Sequence, residues 1–409
     1  MLFGVFWFLM TLVPLIAVPE VPIHPGGVFF IGAAVVAFAI PALLMRGQWQ
    51  AAIETAADRR GASEMPGAIL FGFFLAQALT LSFVVVNLHL QGFSVVEFIT
   101  SPIATANRYL RARYDGLVSA NIFSQSGIVL NYVAVTVGGL TIARVQRRLL
   151  QVAILLAAFS PSLVYMQVYA DKGTLFLAAA YFFGALIVSR VSSGDVRLIT
   201  RNTLLTIVAS LVVLVPALVL TMAARDGSPH GPSEMSDKIL FYLRSYAFGH
   251  IYAFSDWFSH YFFDQSVMEY TDPERQTWGF WSAMAIGEVI WPEYVLPDGY
   301  FREYFAYGGS IQTNIYTMFR GAIYDFGLVG SLIAMSIFGL AGSFAYLVML
   351  RHRSPVVSQA FFIFLVGFLY TSFVFSLLTW ASVYVTAVVV TVVLLFERAL
   401  NERIRHSWL

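Results

Sequence analysis

The 409-residue sequence predicts an all-α integral membrane protein of about ten transmembrane helices. Three observations predict it. Hydrophobic residues make up 59% of the chain and charged residues only 11%, under half the charge of an ordinary soluble domain. Mean hydropathy is +0.75. The apolar residues also gather into runs that reach or approach the roughly 20 residues a helix needs to cross a bilayer. So much apolar surface has no place in water, and the disordered, collagenous and disulfide-stapled classes fall away with it. The chain has no cysteine, so thiolate metal sites, iron–sulfur clusters and thiol nucleophiles are excluded. A net charge of +1 argues against nucleic acid as a partner.

Ten runs read as spans: 2–19, 26–45, 66–87, 126–143, 149–168, 173–189, 203–223, 326–350, 357–377 and 381–396. The uncharged stretch from Ser354 to Phe396 is too long for one crossing and divides near Thr379-Trp380, an interfacial polar–aromatic pair. The first span lacks a basic leader and a clear cleavage site, so it is expected to be retained. Residues 1–409 read as one polytopic domain, with 224–325 as a long loop between the seventh and eighth spans.

Arginine orients the bundle, because cytoplasmic loops carry the excess of basic residues. The loops 46–65, 144–148, 190–202 and 351–356, with the tail after 396, hold 14 of the 24 basic residues and 6 of the 23 acids. That side carries +8 and the opposite side −7. Both termini are expected in the cytoplasm. The outer segments are then 88–125, the very short 169–172, and 224–325. The last holds 25 aromatic residues, too many for a solvated tether, and is expected to fold onto the bundle or lie in the interface.

The candidate chemistry lies on that outer side. Residues 313–331 read TNIYTMFRGAIYDFGLVGS, with Thr313-Asn314 placed to cap an entering helix and Arg320 and Tyr324 on one helical face. Arg320 is suited to gripping phosphate; the plainer alternative is an interfacial pair with Asp325. Lys172, one of two lysines, sits in a loop too short to reach bulk water. It is either a pyrophosphate ligand or the partner of Asp171 or an anionic lipid. Arg108, Arg111 and Arg113 place positive charge outside, against the orientation rule, and call for an anionic substrate or for the acids of the long loop. Residues 238–263 read as one aromatic helix with Arg244, His250, Asp256 and His260 as its polar points. Asp256 and His260 lie one turn apart, which suits general-base work. Glu288, Glu293, Asp298 and Glu303 offer further carboxylates. No metal-ligand spacing, phosphate-binding glycine loop or nucleotide fingerprint is present. Group transfer is therefore expected to draw on an externally displayed, lipid-carried donor.

The segment TNIYTMFRGAIYDFGLVGSLIAMSIFG resembles the signature of the Wzy-type O-antigen and oligosaccharide repeat-unit polymerases. YLRSYAFGHIYAFSDWF and ADKGTLFLAAAYFFG resemble two further stretches of that family, in the same order and on the same side. The resemblance implies a GT-C-like membrane glycosyltransferase with no metal or other cofactor. Its substrates would be undecaprenyl-pyrophosphate-linked oligosaccharides at the periplasmic face of the bacterial inner membrane, and its product O-antigen or exopolysaccharide. Membrane lipids, and a chain-length regulator and flippase of the same pathway, would be its partners. Under this reading Asp256, His250 and Glu288 are candidates for the base. Lys172, Arg320, Arg244, Arg108, Arg111 and Arg113 are candidates for pyrophosphate. Asn314, Tyr316, Tyr324 and Asp325 line the sugar site at the helix mouth. O-antigen ligases usually carry His-Asn where this chain has Thr313-Asn314. A ligase-type transferase and a multi-span lipid or sugar transporter are the alternatives; few ionisable residues lie deep in the spans, which disfavours transport.

Overall fold

The computed structural model describes residues 2–57, 66–169, 171–196, 232–290 and 300–406. The predicted span 203–223, with Glu293 and Asp298, lies outside them. In chain order the helices are α1 (Leu2–Ala17), α2 (Pro25–Leu44), α3 (Arg46–Ala57), α4 (Gly67–Leu90), α5 (Val95–Thr100), α6 (Pro102–Tyr114), α7 (Ile122–Ile142), α8 (Arg148–Tyr169), α9 (Lys172–Ser192), α10 (Pro232–Leu243), α11 (Gly249–Phe263), α12 (Met284–Ile290), α13 (Thr317–Arg351), α14 (Val356–Thr371) and α15 (Ala381–His406). One antiparallel hairpin, β1 (Phe305–Tyr307) and β2 (Ile311–Thr313), pairs Phe305 with Thr313. Among the described residues seven helices are long and apolar enough to cross a membrane: α2, α4, α7, α8, α9, α13 and the Ala381–Arg403 part of α15. The first and ninth predicted spans are shorter apolar helices, Phe3–Ala17 and Val356–Thr371. The chain is thus an all-α, multi-pass membrane protein apart from the small hairpin.

Two compact units divide the chain. The first comprises Met1–Gly47, His230–Phe344 and Phe368–Ala381; the second Gln48–Pro229, Ala345–Gly367 and Ser382–Leu409.

In the first unit α11 packs against α1 and α2. Gly27 makes this possible: a Cβ there would lie 2.9 Å from the Ser255 Cα, so only glycine lets the helices approach so closely. Trp7, Phe254, Trp257 and Phe319 fill the core, and the Trp7 indole donates to Ser372 Oγ at 3.0 Å. The helix predicted over 238–263 is broken by a π-helical turn at Arg244–Phe248. The turn carries Ser245, whose Oγ accepts from Gln312 N of β2 at 3.0 Å, and just after it Thr313 packs against Gly249, the first residue of α11. Docking of the hairpin thus accounts for the break. The predicted Thr313-Asn314 cap is also corrected. Thr313 is the last residue of β2, and α13 begins at Thr317, whose Oγ1 accepts from Phe319 N at 3.3 Å. The uncharged C-terminal stretch divides close to the expected place, through a 3-10 turn at Leu377–Thr379 capped by Ser376.

In the second unit α7 packs along α4 and α9. Asn121 opens α7 with a capping box completed by Ser124. Its amide also donates to Asn87 Oδ1 at 2.7 Å, and Asn87 donates to the Tyr169 hydroxyl at 2.8 Å. An apolar cluster of Leu88, Phe93, Tyr109, Tyr165 and Tyr169 seats α6 on α8.

Candidate functional site

In the first unit α13 and the loop before it build an enclosed centre around Arg320. Arg320 lies one turn into α13 and is 1% exposed. Its Nε donates to the Tyr324 hydroxyl at 2.8 Å, which the i, i+4 spacing makes possible. Its Nη2 donates to Glu303 Oε1 at 3.2 Å and lies 3.7 Å from Asp272 Oδ1. Rings of Trp257, Tyr270, Phe301, Tyr316 and Tyr324 surround the guanidinium, their centroids 4.2 to 5.4 Å away. Such contacts strengthen where water is excluded. One nitrogen is left over: Nη1 is buried and has no hydrogen-bond partner among the described residues. An unsatisfied buried donor costs roughly 1–3 kcal/mol, so this nitrogen marks where an acceptor group of a ligand would be stabilised.

The two carboxylates differ. Asp272 is held by the Trp257 indole at 2.9 Å and by a short hydrogen bond from the Tyr324 hydroxyl, both on Oδ1. Its Oδ2 lies 3.7 Å from His260 Nε2. Glu303 accepts from Thr271 N at 3.0 Å and from Arg320, both on Oε1, and among the described residues Oε2 is uncommitted. Both side chains are partly open, at 17% and 18% exposure. The sequence reading did not single out Asp272 and gave Glu303 only as one acid among several. The separation of Asp272 and Arg320 along the chain hid their pairing.

Asp256 does not orient His260. Its Oδ1 accepts from Val267 N at 2.9 Å and its Oδ2 from the Tyr270 hydroxyl at 2.8 Å, so it ties down the chain after α11. Burial holds the Tyr270 and Tyr316 phenols above their usual range, which keeps both as donors. Tyr316 donates to the Glu303 carbonyl at 3.2 Å and stacks edge-on with Phe301. Asn314 donates to the Phe301 carbonyl.

His250 is fully buried, and its Nε2 lies 3.1 Å from the Met10 carbonyl oxygen. That oxygen can only accept, so Nε2 carries the proton. Desolvation pushes the imidazole down to about 4. The position does not suit the expected base, because the nitrogen facing Met10 donates and the ring is shut off from solvent.

Asp325 does not pair with Arg320. Its Oδ1 accepts from Thr277 Oγ1 at 2.6 Å and Trp281 N at 3.1 Å, and its Oδ2 from Ser282 N at 2.6 Å. It therefore straps the loop 277–282 onto α13. Close by, Gly327 sits at φ 68°, ψ −177° inside the helix and kinks it. Thr317 and Trp278 hold positive φ values of 66° and 49°, and Tyr300 one of 71°. Left-handed backbone is costly for such side chains, and here it clusters around the Arg320 centre. Arg244 lies on the π turn, 3.4 Å from Glu20. Glu288 is exposed on α12.

The remaining candidates belong to the second unit. Lys172 is the first residue of α9, after the N-cap Asp171, whose carboxylate accepts from Thr174 N and Oγ1. Asp171 thus caps α9 and satisfies a donor of its first turn. Arg108 is paired with Glu97 and lies over Phe93, while Arg111 and Arg113 are exposed on α6. Among the described residues no three His, Asp or Glu side chains gather as metal ligands. Compared with protein-family models, with curated proteins and with solved structures, the chain matches none.

Proposed function

We propose that the protein is a membrane glycosyltransferase that polymerises undecaprenyl-pyrophosphate-linked oligosaccharide repeat units at the periplasmic face of the bacterial inner membrane. The observation that carries the reading is the Arg320 centre: an enclosed guanidinium with one free nitrogen, two partly open carboxylates, and aromatic walls at the mouth of a span. Aromatic faces and carboxylate edges suit sugar rings. The free Nη1 suits an oxygen of the pyrophosphate.

In this reaction the acceptor hydroxyl oxygen attacks the anomeric carbon of the donor. The bond from that carbon to the pyrophosphate oxygen breaks, and the lipid pyrophosphate leaves with the electron pair. Glu303 Oε2 takes the hydroxyl proton, since Thr271 and Arg320 fix its other oxygen and leave this one available. Arg320 Nη1 meets the charge growing on the leaving group. Asp272 holds Tyr324 and Trp257 around the guanidinium. Arg244, in the same unit, supplies further positive charge toward phosphate.

Purified protein with lipid-linked repeat units tests the reading. A ladder of products supports polymerisation. A single transfer to a lipid A core would make it a ligase, and translocation without a new glycosidic bond would make it a transporter. Loss of the ladder per folded molecule in Arg320→Ala and Glu303→Gln ties the activity to this centre.

A further inference from the structure

The second unit holds a polar cavity of about 490 Å³ that the transferase reading leaves unused. It is lined from four places: Arg144 just beyond α7, the last turn of α9 with Ser192, the α13–α14 link with Arg353, and the later turns of α15 with Arg398 and Asn401. Its deepest charges are the Arg144–Glu397 pair, whose side chains are 11% and 8% exposed. Apart from Pro355, every lining residue is polar or charged.

The charges of the cavity do not all cancel. Glu397 is taken by Arg144 and Glu402 by Arg398, the latter at 2.9 Å. Arg353 is exposed and forms no ion pair among the described residues. The C-terminal ends of α7 and α9 bring partial negative charge toward this region, and Arg190 at the end of α9 is already engaged by Asp195 at 3.3 Å. The start of α14 brings partial positive charge beside Ser354 and Pro355. The cavity thus offers an uncommitted guanidinium, two further arginines and hydroxyl and amide groups. Its walls are the ends of apolar helices long enough to span a bilayer.

We propose that this cavity binds a phosphate-bearing anion, and that its occupant is the headgroup of an anionic phospholipid. Arg353 grips the phosphate in the bidentate fashion of guanidinium. Ser192 and Asn401 face the hydroxyl-bearing part of a glycerol headgroup. Basic cavities between spans on the arginine-rich side suit such lipids, because the acyl chains stay beside the helices while the phosphate turns inward. A free phosphate shares the chemistry but gains nothing from the neighbouring lipid.

Native mass spectrometry of the full chain in neutral detergent tests this, with phosphatidylglycerol and phosphatidylcholine of the same acyl chains as probes. The expected result is retention of phosphatidylglycerol with a preference of about tenfold, the worth of one charge-assisted contact. That preference is lost in Arg353→Ala and kept in Arg147→Ala, an arginine of the same side that does not line the cavity. Displacement of the lipid by millimolar inorganic phosphate would keep the anion site and assign its occupant to the free ion. Equal retention of the two lipids, or an Arg353→Ala protein that keeps the preference, overturns the proposal.

Discussion

His250 donates its Nε2 proton to the carbonyl oxygen of Met10, the acceptor that Pro14 leaves unpaired in the first helix. Proline has no N–H to offer the residue four positions back, so a buried carbonyl would otherwise go unsatisfied. An imidazole from α11 makes good the loss, and the Tyr252 hydroxyl of the same helix lies 2.9 Å from the Pro14 carbonyl oxygen and 2.7 Å from that of Val18. His250 is therefore a structural residue that repairs a proline defect between two helices. Its protonation would leave this bond intact but bury a charge, and desolvation sets the cost. The folded imidazole sits at about 4 and the unfolded one near 6.5, so the unfolded chain binds the extra proton between those values. Stability from this group is complete above pH 6.5 and falls as pH drops toward 4, by about 3 kcal/mol across the window. Unfolding midpoints measured against pH will show this slope. His250→Gln, which keeps a donor and does not titrate, will flatten it while leaving the transferase activity in place. A slope unchanged in that variant would assign the effect to another group.

Asp325 holds the loop 277–282 with both oxygens. The neutral variant is therefore not innocuous. In Asp325→Asn the amide nitrogen would face either Ser282 N or the pair of donors at Thr277 and Trp281. One contact becomes donor against donor, at a cost of roughly 1–3 kcal/mol. Asp325→Ala strands all three donors and will cost more. Both variants will show less folded protein in the membrane, alanine the lower, by quantitative detergent extraction and size-exclusion chromatography. Wild-type yield of the alanine variant would mean the strap is dispensable.

Sidedness can be tested cleanly because the natural chain has no cysteine. Glu269 is exposed in the loop after α11, and Arg147 lies in the short basic link between α7 and α8. The arginine asymmetry predicts that Glu269→Cys reacts with a membrane-impermeant maleimide from the periplasm. Arg147→Cys should react only after the membrane is opened. The reverse pattern would put the Arg320 centre in the cytoplasm and remove the periplasmic donor from the proposed reaction.

Much of the fold was readable because its cause is local. Long apolar runs and helix caps lie within a few residues of their effects, and the spans at α2, α4, α7, α8, α9 and α13 follow from them directly. The Arg320–Tyr324 contact was also legible, since it needs only helical spacing. The partners Asp272 and Glu303 were not, because both are brought to Arg320 by an irregular loop whose path depends on Asp325, Asp256 and positive-φ residues. The same holds for His250: its polar character was visible, but the unpaired carbonyl that explains it lies in another helix. Local spacing suggested Asp256 as the partner of His260, and the fold supplies Asp272 instead.

Arg320 and Glu303 carry the sharpest prediction, because one bond has two consequences. The guanidinium neutralises Glu303 and fixes its Oε1. Glu303→Gln keeps an oxygen for Thr271 N and Arg320 but has no basic Oε2. It should lower polymer formed per folded molecule by roughly a hundredfold, the range of general-base catalysis, with little change in donor binding. Arg320→Lys places a single ammonium where Nε serves Tyr324, Nη2 serves Glu303 and Nη1 is left for ligand, so it cannot fill all three positions. It should lose donor binding as well as turnover. Arg320→Ala further leaves two carboxylates without their counter-charge, and breaking a buried pair from one side costs about 3–5 kcal/mol. Since Asp272 and Glu303 are partly open, the lower end applies, and the folded yield will fall with the activity. The double variant Arg320→Ala with Glu303→Gln should recover folded protein relative to Arg320→Ala alone without recovering polymer. Recovery of both would show that the pair serves folding only and that the chemistry lies elsewhere.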